Sequence, residues 1–216
     1  MNSTGGLTQI ISTANKLKLE TLYAEFPDAR AIVSSGGKER RLQSNIFKKL
    51  SVFHRHKTND QQYNIFGVIK NKRVNRFIER KYIEDNDVIH HYKVLLPKSS
   101  GNGQFGEKLA DSIICGPGDG FTYTFIAFGS FNTKTEALNA QKYIKTKFAR
   151  SLLGVLKVTQ DNTPDKWADV PVQDFSTKSD IDWRMSITKI DKQLYEKYKL
   201  TSDDINFIED HVQEMN

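Results

Sequence analysis

The sequence predicts an α+β fold, in which a mixed or mostly antiparallel sheet packs against one central amphipathic helix and a helical segment ends the chain. Three observations lead to this prediction. Short runs rich in β-branched and aromatic residues concentrate between residues 31 and 128. Residues 133–153 begin with a capping box and continue with apolar residues at helical spacing. Helical patterns return at 186–198 and after Thr201, which can cap a final helix with Asp204 at its third position.

The composition is that of a folded domain with a sizeable core. The chain has 216 residues, of which 38% are hydrophobic and 27% are charged, and this length allows one large domain or two small ones. The single cysteine, Cys115, excludes an internal disulfide and a multi-cysteine metal site. Because the sequence contains neither a membrane-length apolar run nor a secretory signal, we expect a cytoplasmic protein.

The charge is positive overall and unevenly distributed. The net charge is +6 and the isoelectric point is about 9.2. Residues 38–81 hold thirteen lysines and arginines but only three acidic residues, whereas acidic residues are in excess from Asp161 onward. This asymmetry predicts a basic face for a nucleic acid and an acidic end that is kept away from it.

The N-terminal residues 1–28 are expected to form a helical connector from a missing upstream region, which Pro27 ends. Residues 29–216 are expected to form the main domain, with a basic, strand-rich half (29–97) and a strand–helix core with a helical tail (98–216). The predicted strands lie at 31–33, 63–69, 73–78, 88–96, 113–114, 122–128 and 155–158. Basic or glycine-rich turns separate the earlier ones.

The central helix is predicted from its cap and its two faces. Thr133 and Glu136 have the spacing of a capping box. The predicted inner face is formed by Ala137, Ala140, Gln141, Ile144, Phe148, Leu152 and Val155. The predicted outer face is basic, with Lys142 and Lys145 opposite the apolar residues and Lys147 and Arg150 at its sides. Such a face either lies in water or contacts a phosphate backbone.

The sequence contains no convincing catalytic motif. A phosphate-binding P-loop requires Gly-Lys-Ser/Thr, but Gly37-Lys38 is followed by Glu39. The loop of amino-methylating DNA enzymes requires two adjacent prolines, and no two prolines are adjacent here. His90 and His91 lie on a predicted strand, where neighbours point to opposite faces, so we predict no metal site.

A nuclease is the alternative interpretation of a basic chain of this kind. Metal-dependent nucleases pair Pro-Asp with a later acid-x-Lys, in which carboxylates hold magnesium and the lysine orients water. Asp28 after Pro27, with Glu79 and Lys81, matches those residue types. A third interpretation is a protein-interaction module whose basic face binds an acidic partner.

The DNA-binding interpretation rests on basic and amide side chains in turns and on the helix. Lysines and arginines contact phosphates without regard to sequence, and arginine, asparagine and glutamine read base edges. The predicted phosphate contacts are Lys38, Lys72, Lys98, Lys142, Lys145 and Arg150, and Lys70 and Asn102 are further predicted DNA-binding residues. The predicted base readers are Arg40, Arg41, Arg73 and Arg76, with Gln43 and Asn71 nearby.

Several strings, taken in order, resemble a known protein family. They are YKVLLPK at 92–98, TYTF at 122–125, GSF at 129–131, EALNA at 136–140, YIKTKFAR at 143–150, VPVQDFS at 170–176 and IDKQLYEKY at 190–198. These strings are similar to the C-terminal target-recognition region of bacterial restriction–modification enzymes. Those enzymes are N6-adenine-specific DNA methyltransferases, some of them fused to a restriction endonuclease.

The resemblance implies that this chain recognises a sequence in double-stranded DNA and lacks catalysis of its own. The catalytic motifs of the family lie upstream, in a methyltransferase domain or subunit that would be its partner. The resemblance implies no cofactor for this chain, whereas the parent enzyme would use S-adenosylmethionine and, where a nuclease is fused, magnesium. One departure is local: relatives often carry Pro-Phe-Gly near residues 34–37, where this chain has Ser-Ser-Gly-Gly.

Overall fold

The computed structural model describes residues 5–33, 40–43 and 45–215, which adopt an α+β fold. The strands are β1 (Ile11–Thr13), β2 (Gln62–Ile69), β3 (Lys72–Glu79), β4 (Tyr92–Pro97), β5 (Ile113–Cys115), β6 (Asp119–Phe121) and β7 (Phe125–Phe131). The α-helices are α1 (Leu19–Glu25), α2 (Ala29–Ile32), α3 (Ile46–Lys49), α4 (Asp87–His90), α5 (Lys134–Lys145), α6 (Lys147–Leu156), α7 (Ile187–Lys197) and α8 (Ser202–His211). Short 3₁₀ turns occur at Leu7–Ile10, Arg80–Tyr82 and Pro164–Trp167.

The strands form two sheets rather than the single sheet that we predicted. The first is antiparallel, with the strand order β1-β7-β4-β5. The second has the order β3-β2-β6 and is mixed, because β2 and β3 are antiparallel while β2 and β6 are parallel. Each sheet takes strands from both predicted halves of the chain, since β6 pairs with β2 and β4 pairs with β7.

The two sheets stack between two layers of helices, and the alternation of the central strands explains why. Successive side chains of a strand point to opposite faces. Val94 and Leu96 of β4 belong to the cluster that includes α5, α6 and α7, whereas Leu95 packs with the residues facing the second sheet. On the far side of the second sheet, Ile65 packs against a cluster from α1, α2 and α3. Strands that are apolar on both faces must be covered on both faces.

The N-terminal segment is built differently from the predicted connector. The predicted helical connector is wrong in its middle, because Ile11–Thr13 forms strand β1 at the edge of the first sheet, between the 3₁₀ turn at Leu7–Ile10 and helix α1. Leu7, Leu17 and Leu22 are fully buried in the two large cores. Residues 11–13 form a strand because they pair with the edge of β7. The spacing of apolar residues along the sequence does not reveal that edge.

Two predicted strands begin as helices instead. Residues 31–33 were predicted as a strand, but Ala29–Ile32 forms α2 directly after the Pro27 turn. The predicted strand 88–96 starts with α4, whose N-terminus is capped by the side chain of Asn86 accepting a hydrogen bond from the amide of Ile89 at 3.1 Å. The Asn86 cap stabilises a helix in this segment, although its β-branched residues favour a strand. The predicted strand at 155–158 is likewise wrong, because α6 continues to Leu156.

The capping predictions are confirmed at both helices where they were made. Thr133 and Glu136 form the reciprocal hydrogen bonds of a capping box at the start of α5. Thr201 and Asp204 form the same pair at the start of α8. The helix predicted at 186–198 is α7, and its Ser186 cap accepts a hydrogen bond from the Lys189 amide.

No helix in the described residues is long and apolar enough to cross a bilayer.

The single helix predicted over 133–153 is interrupted at Thr146. Thr146 is extended (φ −59°, ψ 149°), and its hydroxyl caps α6 by accepting from the Ala149 amide. The carboxylate of Asp191 on α7 accepts from the next two free amides, those of Lys147 at 3.1 Å and Phe148 at 2.9 Å. Since the helix axis restarts here, the face that α6 buries differs from the predicted one: Arg150, Ser151 and Leu153 are buried, whereas Val155 is exposed.

Asp191 is itself buried, and this burial controls its titration. Removal from water disfavours the carboxylate and raises the pKa of Asp191 to about 6, although the two amide hydrogen bonds act in the opposite direction. An aspartate in the unfolded chain titrates near pH 4. The folded state therefore binds more protons at this site between about pH 4 and pH 6.

The substitution Asp191→Asn tests this linkage. The contribution of the Asp191 carboxyl group to the free energy of unfolding falls as the pH rises from about 4 to about 6, and then stays constant. A difference of about two pKa units corresponds to about 3 kcal/mol, so the variant should gain up to that amount relative to wild type over this window. Urea unfolding between pH 4 and pH 7 measures the difference. Asp203→Asn, which removes an exposed carboxylate from α8, is the control. If the difference in unfolding free energy between wild type and variant did not change with pH, the raised pKa of Asp191 would be contradicted.

Arg150 is the most deeply enclosed charged group of α6. Its Nε donates to the carbonyl of Lys145 at 3.1 Å, and Nη1 donates to the carbonyls of Gly106 and Glu107 at 3.2 and 3.1 Å. Nη2 donates to the carbonyl of Gln213. Desolvation lowers the pKa of Arg150 to about 10. One side chain thus joins α5, the 106–107 loop and the C-terminal segment.

Arg150→Met should lower the free energy of unfolding by about 3 kcal/mol or more, because it leaves buried carbonyl groups without donors. In a chain of this size the melting temperature should fall by about 10 °C. Calorimetry measures the change. Lys189→Met, on the exposed face of α7, should leave the melting temperature within about 2 °C. Equal melting temperatures for both variants would show that Arg150 is not a structural connection.

Candidate nucleic-acid interface

The β2–β3 hairpin ends in a tight two-residue turn whose residues are unusual for that position. Lys70 and Asn71 both have left-handed backbone angles, with φ of 49° and 59°, and Ile69 pairs with Lys72 on either side of them. This is the geometry of a type I′ hairpin turn, for which Asn-Gly is the preferred sequence. A lysine in this conformation costs about 1 kcal/mol, so the turn keeps a cationic side chain at some expense in stability.

The hairpin is wide at its base and narrow at its tip. On one edge, β6 pairs only with Asn64–Phe66 of β2. On the other edge, His54 exchanges two backbone hydrogen bonds with Phe77 of β3. Beyond these contacts the described residues add no further strand at the edges, and the part from Gly67 to Val74 is called the hairpin tip here. Its turn, residues 70–73, is exposed, whereas Gly67 is buried and Val68, Ile69 and Val74 are half-buried against the rest of the protein.

Charge also differs between the two ends of the hairpin. At the tip, Lys70, Asn71, Lys72 and Arg73 are exposed, and the sequence from 62 to 78 contains no acidic residue. Within the described ranges neither Lys70 nor Lys72 forms an ion pair.

At the base, roughly 25 Å away along the strands, basic groups are balanced by acidic ones. Lys57 pairs with Asp60 at 2.6 Å and Lys81 pairs with Glu25 at 2.7 Å. Lys70 and Lys72 therefore place positive charge at the tip without an ion pair to any described residue.

A second basic group forms where residues far apart in the sequence meet on Tyr123. The ammonium of Lys98 lies 3.5 Å from the centroid of the Tyr123 ring, and the guanidinium carbon of Arg41 lies 5.3 Å from it. A hydrogen bond from Lys98 lowers the pKa of the Tyr123 phenol, and the positive charges of Lys98 and Arg41 act in the same direction. Two of the predicted DNA-binding residues are thus brought together on one aromatic ring.

Backbone hydrogen bonds fix this group, called the Tyr123 cluster here, beside the hairpin. The amide of Tyr123 donates to the carbonyl of Leu42, next to Arg41, at 2.7 Å, and the amide of Lys98 donates to the carbonyl of Thr124 at 2.9 Å. The amide of Thr122 donates to the carbonyl of Phe66, at the start of the hairpin tip, at 2.8 Å. The cluster and the tip consequently share one rigid support.

Arg73 and Arg76 contact protein groups on opposite faces of the hairpin. Arg73 is exposed, and it donates to the carbonyl of Asp111. Arg76 is half-buried, lies 5.9 Å from the Phe47 ring and donates to the carbonyl of its neighbour Asn75 at 2.7 Å. These contacts restrain both arginines, and they hold the hairpin against the first sheet on one side and against α3 on the other.

The loop at 98–107 is organised around an internal carboxylate. The amides of Asn102 and Gly103 donate to Glu107 at 2.8 and 3.2 Å, and the buried Lys157 donates to the same carboxylate. Gly103 is left-handed (φ 86°), and a Cβ there would lie 2.4 Å from the backbone of Val158 and Thr159. These two backbone amides are therefore not free for a phosphate, because Glu107 already accepts from them. The Asn102 side chain is exposed, but its Oδ1 accepts from the Gln104 amide.

The helical part of the predicted basic face is also corrected. Arg150 is only 2% exposed, and its donors are used by backbone carbonyls, so it cannot contact a phosphate. Lys142 donates to the carbonyls of Trp183 and Met185 at 2.7 and 3.2 Å and holds that segment against α5. Lys145 is half-buried and lines the same small cavity as Asp191. For Arg150, the interruption at Thr146 changed which face of α6 is buried.

Two further predicted residues complete the comparison. Arg40 is exposed, with its guanidinium 3.7 Å from the carboxylate of Glu84. Lys38, like the 34–37 loop, lies outside the described residues.

The three residues of the nuclease interpretation have separate surroundings. Glu79 accepts hydrogen bonds from Asn59 at 2.8 Å and from Gln62 at 2.9 Å. Lys81 donates to both oxygens of Glu25, and Asp28 precedes α2. Over the described part of the chain, no three His, Cys, Asp or Glu side chains are grouped as metal ligands.

The comparisons with known proteins add no family assignment. No protein-family model matches the chain, and no curated protein matches its sequence at a significant level. The functional argument therefore depends on the hairpin tip and the Tyr123 cluster.

Tyr123 is the residue of this site that the binding prediction missed. In the sequence, Tyr123 stands out only as part of the TYTF string at 122–125. Its aromatic ring is the one signal that it could bind a cation. The distance in sequence between Arg41, Lys98 and Tyr123 hides their proximity, which depends on how the two sheets stack.

Gly67 determines how closely α3 packs on the hairpin tip. A Cβ at this position would lie 2.5 Å from the Phe47 ring and 3.1 Å from the Thr122 methyl group. Gly67→Ala should therefore lower the free energy of unfolding by about 1–3 kcal/mol through overpacking, as urea unfolding would show.

Adding Phe47→Leu should recover part of that loss, because the smaller side chain relieves the clash. Gly116→Ala is the matched control, since a Cβ there meets Tyr92 at an ordinary 3.5 Å. A stable Gly67→Ala protein would refute the close packing.

Proposed function

We propose that this chain is a sequence-specific double-stranded DNA recognition domain of a restriction–modification methyltransferase that modifies adenine at N6. The catalytic reaction belongs to a separate methyltransferase domain or subunit, with S-adenosylmethionine as its cofactor. In this proposal the chain works in the cytoplasm, and it contributes the contacts that position the enzyme on its site.

The observation that supports this proposal is the meeting of uncompensated cations from distant parts of the sequence. Arg41 and Lys98 converge on Tyr123, and the same support carries the hairpin tip with its exposed lysines. Lysine and arginine neutralise phosphates, and an exposed amide such as that of Asn71 reads a base edge. Rigid backbone around both groups favours specific binding over a loose electrostatic contact.

The acidic C-terminal part fits the same arrangement. Residues from 161 onward carry an excess of carboxylates, and several are paired within the chain, such as Asp180 with Lys197 and Glu209 with Lys147. Repulsion from phosphates would favour binding through the opposite, basic part of the molecule.

Binding to a duplex with a randomised core should select a preferred sequence, and its affinity should fall steeply with salt. Each phosphate contact contributes close to one unit to the slope of log K against log salt. Lys98→Gln and Arg41→Gln should each weaken binding several-fold and reduce that slope by about one. Lys178→Gln, which removes an exposed lysine from the C-terminal part, should leave both quantities unchanged. Fluorescence anisotropy at several salt concentrations measures them.

Three results would contradict the proposal. Absence of duplex binding would remove its basis. Salt-dependent binding without any sequence preference would indicate a basic surface for other polyanions, including an acidic protein. Magnesium-dependent plasmid cleavage that is lost in Glu79→Ala would favour the nuclease interpretation instead.

A further inference from the structure

The hairpin tip has the shape of an element that enters the major groove. Two paired strands lie about 4.8 Å apart between backbones, and the major groove of B-form DNA, about 12 Å wide, admits a two-stranded ribbon. The base of the hairpin, flanked by β6 and by His54, is too wide for that groove. Gly67 is buried and Val68, Ile69 and Val74 are half-buried against the rest of the protein, so only the exposed turn at residues 70–73 can enter.

The side chains at the turn have the chemistry that reads purines. A carboxamide forms a bidentate pair with adenine, in which its oxygen accepts from the N6 amino group and its NH₂ donates to N7. Lysine donates to the O6 and N7 acceptors of guanine. Asn71 and Lys70 occupy the two turn positions and are both exposed. Lys72 and Arg73 follow on the returning strand, where the groove walls carry the phosphates.

Position along the ribbon separates these residues from the Tyr123 cluster. The cluster is attached at Phe66, at the beginning of the tip, whereas the turn lies at its far end. A ribbon inserted by its turn would place the cluster near the rim of the groove, where phosphates are.

We propose that the exposed turn of the hairpin tip, residues 70–73, enters the major groove of duplex DNA, with Asn71 reading an adenine and the Tyr123 cluster contacting a phosphate at the rim. This inference rests on the proposed function and assigns its recognition element. Lys70 and Lys72 contact guanine or phosphate beside the adenine that Asn71 reads.

The test compares Asn71→Gly with wild type on the sequence that wild type selects from a randomised duplex pool. Glycine suits the left-handed turn position, so this variant should fold with an unchanged or higher melting temperature. Its preference for the selected duplex over the random pool should fall by about tenfold. Lys178→Gln again serves as the control and should keep the full preference.

Duplexes in which one adenine at a time is replaced by 7-deazaadenine identify the base. The replacement removes the N7 acceptor in the major groove and leaves Watson–Crick pairing intact. At one adenine, the one that Asn71 contacts, the replacement should weaken wild-type binding about tenfold. The same replacement should leave Asn71→Gly binding unchanged.

The outcomes separate the two proposals. Selection of a sequence by wild type with equal selection by Asn71→Gly, or with no 7-deazaadenine position that couples to Asn71, would overturn the groove assignment and leave the proposed function standing. Displacement of wild type by the minor-groove ligand netropsin, combined with indifference to every 7-deazaadenine, would overturn it as well. Failure of wild type to bind duplex DNA would overturn both.

Discussion

The structure depends on burying charged side chains with every donor and acceptor satisfied. Arg150 joins three segments through their backbone carbonyls, and Lys157 with Glu107 closes the neighbouring loop. Lys93 does the same in the first sheet, where its ammonium donates to the carbonyls of Val88, His91 and Gly116. A buried charge without such partners costs several kcal/mol, so these networks hold irregular loops in single positions. Lys98, at the start of one of those loops, is positioned as a consequence.

The same requirement divides the basic residues into two kinds. Arg150, Lys142 and Lys157 use their positive charge inside the molecule and hold segments together. Lys70 and Lys72 remain exposed on a rigid hairpin. The sequence does not distinguish buried from exposed basic residues, because a lysine on a helix face and a lysine in a turn contribute equally to the net charge. The positive charge that is available to a polyanion is therefore smaller than the composition indicates, and part of it lies at the hairpin tip.

Local signals predicted much of the fold. The capping boxes at Thr133 and Thr201, the β2 and β3 strands and helix α7 were predicted close to their observed bounds. The errors occurred where a distant partner competes with local preference. Ile11 pairs with Phe128 instead of continuing a helix, and Asp191 from α7 caps the amides that begin α6. Among the candidate site residues, the exposed hairpin positions were predicted from the sequence, whereas the role of Tyr123 and the burial of Arg150 were not.

The sequence by itself determined the α+β class, the starts of α5, α7 and α8, and the concentration of positive charge before residue 81, because these follow from short-range spacing, capping chemistry and composition. Only the tertiary structure decided that the strands divide into two stacked sheets, that Arg41 and Lys98 meet on Tyr123, and that Arg150 points inward. The physical reason is that such contacts join residues tens of positions apart, and their free energy depends on which surfaces are buried together rather than on any local pattern.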